Sequence, residues 1–314
     1  MKAYARELAV AATILLVLAL LATTTHGFFT VDNLSDLFLA NVPVLIVSLG
    51  MTLIILTGQI DISVGSVFAV CSIVTGVAAR AGLPVLVAML IASVVGALLG
   101  SFNGALVAWM RMPSIVVTLA SMVAIRDGLR WQTQGAWVGD LPGSFQRFGL
   151  SQTIYTVLML VIAALLVVVF IVGLRYFRGG RNIFATGSNE AAARILGIDT
   201  NRVLFSVFAI TGLLTGFSAA LNAVRFNQIP SNSGIGLELK TIAAVAVGGA
   251  TITGGSGTIA GTVLGVVLLG IIGPALTFLG VSAYWERAIQ GLIILAAVSV
   301  NVLSHYRRRQ VSHA

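Results

Sequence analysis

Asp61 lies in the run Gly58-Gln59-Ile60-Asp61-Ile62-Ser63-Val64-Gly65, with apolar sequence on both sides, and is the acid most nearly embedded in hydrophobic surroundings. An acid at mid-bilayer costs about 2.5–3.5 kcal/mol on insertion scales and marks function by default. Two roles are open to it. Asp61 and Ser63 directly precede an apolar helix, whose free N–H groups their oxygens can cap. Alternatively, the carboxylate meets a solute or gates its passage. Catalysis is hard to assemble around it. Cys71 is the sole cysteine, His305 and His313 belong to the terminal tail, and Glu238 and Glu286 fall at the edges of apolar blocks. Paired acids, a His–Cys arrangement, a zinc-type motif and a phosphate-binding G-x-x-x-x-G-K-[ST] loop are all missing, so no catalytic residue, metal or cofactor is expected.

A second constellation is the basic stretch 175–202. Within it, Gly187-Ser188-Asn189-Glu190-Ala191-Ala192-Ala193-Arg194-Ile195-Leu196-Gly197 reads as a short helix with proper ends. Ser188 or Asn189 caps its start, Glu190 and Arg194 pair at i,i+4, and Gly197 suits the left-handed position after the last turn. Such a helix is either a solvated loop helix or a plug for a partner's cleft, with alanines allowing close approach and Ile195 and Leu196 supplying apolar contact. Neutral polar residues inside apolar blocks could line a path for a hydroxyl-rich solute: Thr57, Gln59, Ser63, Asn103, Thr118, Ser121, Asn222, Thr251 and Thr253. Ser and Thr in membranes also commonly bond backbone or pack between helices. Trp109, Tyr284 and Trp285 read as interfacial anchors.

The elements that must position these residues follow from composition. The 314 residues are 58% hydrophobic and 9% charged, whereas soluble domains carry roughly a quarter charged residues. The excess apolar surface must face lipid. Apolar blocks at residues 8–25, 42–56, 66–79, 84–109, 113–125, 153–174, 203–224, 241–248, 258–279 and 284–303 give about ten crossings at about 20 residues per span. The first block is long for a signal peptide and is taken as a span with a cytoplasmic N-terminus. Basic residues concentrate at 175–202 and in the tail, which places both with the N-terminus on the cytoplasmic side. The net charge of +8 therefore marks loop anchors and implies no nucleic-acid partner. Glycine-rich interruptions at 57–66 and 248–257 occupy corresponding places in two halves, about residues 40–127 and 204–303. Such clusters either mark discontinuous helices or reflect close helix packing; their Asp, Ser, Thr and Gln content favours broken helices. The expected fold is all-α: one polytopic membrane domain over 1–314, some helices broken, with a weak internal repeat.

Four ordered blocks carry a resemblance. Gly58-Gln59-Ile60-Asp61-Ile62-Ser63-Val64-Gly65-Ser66 is similar to a Gly-Gly-Ile-Asp-Leu-Ser-Val-Gly signature, departing from it at Gln59. Asn103-Gly104-Ala105-Leu106-Val107-Ala108 with Pro113-Ser114-Ile115-Val116-Val117-Thr118-Leu119 is the second. Ala185 to Arg194 is the third, and Gly236-Leu237-Glu238-Leu239-Lys240 through Gly254-Gly255-Ser256-Gly257 the fourth. Together they resemble the membrane permease subunits of bacterial ABC monosaccharide importers, the ribose-type family, over about residues 40–300. The segments 135–142 and 229–234 look like its rhamnose and autoinducer-2 branch. The resemblance implies a path for a monosaccharide or autoinducer-2 and an inner-membrane location. It also implies three partners: a cytosolic ATPase docked on Gly187 to Gly197, a periplasmic sugar-binding protein, and a second permease copy or paralogue. An ion-coupled carrier is the rival, though Asp61 alone would have to serve its coupling.

Overall fold

A computed structural model describes residues 2–282, with side chains from Glu7 onward, and residues 285, 288, 289, 291, 292 and 295. Most of the expected last block, Tyr284 included, and the basic tail lie outside the described residues. Eleven α-helices follow in order within residues 2–282: α1 (Lys2–Thr24), α2 (Val31–Leu56), α3 (Val64–Arg80), α4 (Val85–Ala108), α5 (Ser114–Thr133), α6 (Gln152–Tyr176), α7 (Arg178–Ser188), α8 (Glu190–Ile195), α9 (Thr200–Ala223), α10 (Leu237–Val247) and α11 (Ile259–Phe278). Extended pairing among the described residues is limited to one antiparallel bridge, Val138 to Ile229. The protein is all-helical.

Six of these helices, α1, α2, α4, α6, α9 and α11, are long and apolar enough to cross a membrane, fewer than the ten blocks of the sequence. The reasons are local. Arg126, Asp127 and Arg130 interrupt the C-terminal half of α5, α3 has 17 residues, and α10 has only 11. Burial sorts the six into layers. The apolar window of α2 is 83% buried and those of α9 and α11 are 61%, whereas α1 and α6 reach only 11% and present Leu, Val and Ile outward. Lipid can solvate such faces; water cannot.

The tightest pairing joins α4 and α9, and it exists because both helices carry glycine where they cross. A Cβ added to Gly212 would lie 2.2 Å from the Gly96 carbonyl oxygen, and one on Gly100 2.4 Å from that of Phe208. Backbones touch directly, the small-residue solution available where no hydrophobic force draws helices together. Central α2 contains Pro43, whose missing N–H frees the Leu39 carbonyl one turn back. The Arg225 guanidinium takes that carbonyl at 2.7 Å.

The helices alternate direction, so their ends gather at two poles. At one pole lie the ends of α2 and α4, the start of α5, α7, α8 and the 248–258 loop; Thr258 there hydrogen-bonds Glu7 of α1. At the other, Phe28 stacks edgewise on Phe278 at 5.4 Å and the Arg147 N–H donates to the Val224 carbonyl at 2.7 Å. Trp109 and Trp285 are both well exposed.

Candidate functional site

Helix α2 stops at Gly58, whose φ of +75° supplies the left-handed residue that closes a helix C-terminus. Its N–H reaches back to the Ile55 carbonyl at 2.9 Å and that of Gln59 to Ile54 at 3.1 Å. The chain then runs extended alongside α5. Ile60 N–H donates to Ser114 Oγ (3.3 Å), Ile62 N–H to Thr118 Oγ1 (3.1 Å), and Ser66 Oγ to the Met122 carbonyl (2.8 Å). Positions 114, 118 and 122 share one helical face, so hydroxyls and a carbonyl of α5 satisfy backbone and side-chain groups of the opened segment inside the membrane. Asp61 is buried. Its Oδ1 accepts the Ser63 backbone N–H at 2.8 Å and the Ser63 hydroxyl at 2.6 Å. Ser63 Oγ accepts from Asn103 Nδ2 at 2.9 Å, and Asn103 Oδ1 accepts from Ser121 Oγ at 2.6 Å. Thus Asp61, Ser63, Asn103, Thr118 and Ser121 come together around one break, all buried. Ser63 occupies the N-cap of α3 without a side-chain bond to its first turn.

The other candidates do not join this hydrogen-bond chain. Buried Thr57 ends α2, and its hydroxyl bonds the Ile54 carbonyl at 2.7 Å. Thr251 pairs with Ser256 across the second break, and Thr253 is exposed beside Gly58. Asn222 stands at the opposite pole, its carbonyl accepting the Arg225 N–H at 3.1 Å. Gln59 faces a cavity of about 570 Å³, shared with Arg111, Met112, Glu190, Ala191 and Arg194.

The 175–202 segment forms two helices where the sequence indicated one. Gly179 and Gly180 mask α7, yet Gly180 is what lets it fold tightly against the end of α6: a Cβ there would meet the Leu174 carbonyl at 2.4 Å. Of the two possible caps for α8, Asn189 serves, accepting Ala192 N–H at 3.0 Å, while Ser188 closes α7. Glu190 pairs with Arg194 at 2.7 Å, and Gly197 has φ +81°. Arg194 also donates to Thr200 Oγ1 (2.8 Å) and Asn201 Oδ1 (2.9 Å), latching α8 to α9. Ala193 is buried, whereas Ile195 and Leu196 are 86% and 79% exposed.

Three glycine-rich segments distant in sequence stack beneath this helix. A Cβ on Gly187 would fall 1.8 Å from the Leu56 carbonyl, and one on Gly254 would meet Gly187 O at 2.7 Å and Gly58 N at 2.8 Å. Gly255 N–H donates to Leu56 O at 2.9 Å. The last turn of α7, which leads into α8, therefore bears on both helix interruptions at once.

Arg126 lies just past the 113–125 block and Glu238 at the edge of another, and the fold brings both to the irregular stretch 231–236. Arg126 Nη1 donates to the Ser233 carbonyl at 2.9 Å. Glu238 Oε1 accepts Gly236 N–H at 3.2 Å, and its Oε2 is buried with no hydrogen-bond partner, close to Gly65. The sequence signals were the 236–240 block, which contains Glu238, and the nearby Gly234 and Gly236, both of positive φ.

Residues 33–298 match the family described as branched-chain amino acid transport system / permease component. The chain is similar to the autoinducer 2 import system permease protein LsrC of Photorhabdus laumondii subsp. laumondii, with 32% identity over 93% of this chain and 88% of that protein. The protein of the same name from Yersinia pseudotuberculosis serotype O:3 is 33% identical over 91% of this chain and 81% of its own length. That of Yersinia enterocolitica serotype O:8 is 34% identical, over 91% and 79%. No solved structure matches the chain. With its apolar helices, its opened helix segments and a match spanning most of its length, the chain belongs to the branched-chain amino acid transport system / permease component family and is a multi-pass membrane permease.

Proposed function

We propose that this permease is the membrane subunit of an ABC importer in a bacterial inner membrane, taking a small polyhydroxylated solute from a periplasmic binding protein. Autoinducer-2 is the foremost candidate, since the relatives carry that name. A monosaccharide of the rhamnose or ribose type has the same hydroxyl chemistry. A separate cytosolic ATPase drives the cycle, and a second copy or paralogue completes the channel. The whole chain forms one domain of ten crossings, with broken helices at 57–66 and 248–257 in two related halves and both termini cytoplasmic. The α8 pole then faces the cytoplasm. Gln59 and the Asp61–Ser63–Asn103–Ser121 chain lie along the path with Thr118, Thr57, Thr251 and Thr253 at its inner mouth, and Asn222 at its outer one.

The observation that carries this reading is α8. Its ends are capped, Arg194 ties it to α9, and it nonetheless points Ile195 and Leu196 into solvent. Large exposed apolar side chains on a rigid mount are what a partner's cleft requires. Gly187 to Gly197, with Ser188, Glu190, Ala191 and Ala192, form the coupling surface. Ala192→Leu adds bulk that costs about 1–3 kcal/mol in a packed interface, and Gly197→Val strains a left-handed residue. Both variants should insert normally but fail to co-purify the ATPase. Full co-purification and uptake by both would overturn the assignment, as would solute uptake driven by an ion gradient in vesicles holding this subunit alone.

A further inference from the structure

We propose that Arg126 and Glu238 form a solute-contact site near the middle of the membrane, built to exchange hydrogen bonds with a neutral polyhydroxylated molecule. The inference rests on the permease reading and deepens it by naming where the solute is held.

Depth is the first argument. At 1.5 Å per residue, Arg126 lies about 18 Å along α5 from Ser114, and Glu238 about 14 Å from the inner end of α10, within a hydrocarbon core of roughly 30 Å. The α3 contacts agree: Gly65, beside Glu238, sits next to Ser66, which bonds Met122 one turn below Arg126 on α5. Charged groups at this depth face protein or water, since lipid would penalise them by several kcal/mol. Arg126 and Glu238 are each only partly buried in the protomer, so each leaves part of its side chain accessible.

Local construction is the second argument. Helix α3 starts here and runs to one pole, while α10 starts here and runs to the other, so two helix N-termini converge on Glu238. The irregular stretch 231–236 completes the spot. Opened backbone at membrane depth persists where it is buried in protein or lines a cavity.

The donor and acceptor set is the third. Arg126 gives one N–H to Ser233 O and makes no other hydrogen bond among the described residues. Glu238 lies within electrostatic reach of it and keeps Oε2 unpartnered. A guanidinium with unused N–H groups, near a carboxylate whose buried Oε2 is unpartnered, is matched to vicinal hydroxyls, one accepting and one donating.

The test uses the full complex with its ATPase in proteoliposomes. Arg126→Cys and Glu238→Cys, in a Cys71→Ala background, are exposed to methanethiosulfonate ethylsulfonate, with lipid-facing Val161→Cys as reference. Both should react at least about tenfold faster than the reference, because the reagent attacks only a hydrated thiolate. Rates no faster than those of Val161→Cys would overturn the site. Where a cysteine variant fails to insert, Glu238→Gln and Arg126→Lys take its place, since both keep the local packing. Uptake of autoinducer-2 per ATP hydrolysed should fall about tenfold in Glu238→Gln and less in Arg126→Lys than in Arg126→Ala. A purely structural clasp would leave Glu238→Gln within twofold of the parent, and that result also overturns the proposal. Labelling requires no knowledge of the solute, so failure of the importer reading and failure of this site are distinguishable.

Discussion

At the scale of single residues, the clearest logic is the substitution of one hydrogen bond by another. Pro43 removes a helical donor from the most buried helix, and Arg225 supplies the replacement to Leu39 from a segment 186 residues away. An unpaired buried carbonyl costs about 1–3 kcal/mol. Arg225→Met should therefore destabilise the detergent-solubilised protein by about that amount, read as a lower thermal-unfolding midpoint. In a Pro43→Ala background the helix provides its own N–H, and the same substitution should cost less than about half as much. Equal costs in both backgrounds would show that Arg225 stabilises by another route. Nothing in the sequence paired these two residues, because the link depends on where α9 ends relative to α2.

Helices and their junctions tell a different story about legibility. The short helix α8, its pairing of Glu190 with Arg194 and its closing glycine could be read directly, since capping and i,i+4 rules act within a few residues. The interruption at 57–63 was readable for the same reason: Gly58 stops a helix locally. What could not be read was the partner of each opened segment, such as the α5 face 114–118–122, or the inward position of Arg126 and Glu238. Those depend on approaches between segments that only glycines permit. The α4–α9 crossing makes this measurable. Gly212→Ala places a methyl group against the Gly96 carbonyl, and should cost about 1–3 kcal/mol in thermal stability and lower the monodisperse yield. Gly173→Ala, in a helix position with open space around it, should be neutral or stabilising by about 0.5–1 kcal/mol. Similar behaviour of the two would remove the case for backbone-level packing.

For the whole molecule, alternating helix directions fix which loops share a pole. Ser188 and Gly143 belong to opposite poles, and both are exposed. In a Cys71→Ala background, Ser188→Cys should resist a membrane-impermeant maleimide in spheroplasts and react after permeabilisation, whereas Gly143→Cys should react at once. Reaction of Ser188→Cys from outside would invert the orientation proposed above. The tail position Ser312 would extend the test to the C-terminus, which lies outside the described residues.

The stacked glycines under α8 carry one more consequence, mechanical in kind. Side chains are the springs of a protein: they change rotamer and absorb small displacements before the backbone moves. Between Gly187, Gly58 and Gly254 no such springs exist, because peptide planes rest on peptide planes. A displacement at the α7–α8 junction therefore bears directly on the backbone after α2 and before α11. Two junctions joined by backbone contact cannot shift independently, so under the proposed importer function a stroke at α8 would reset both together.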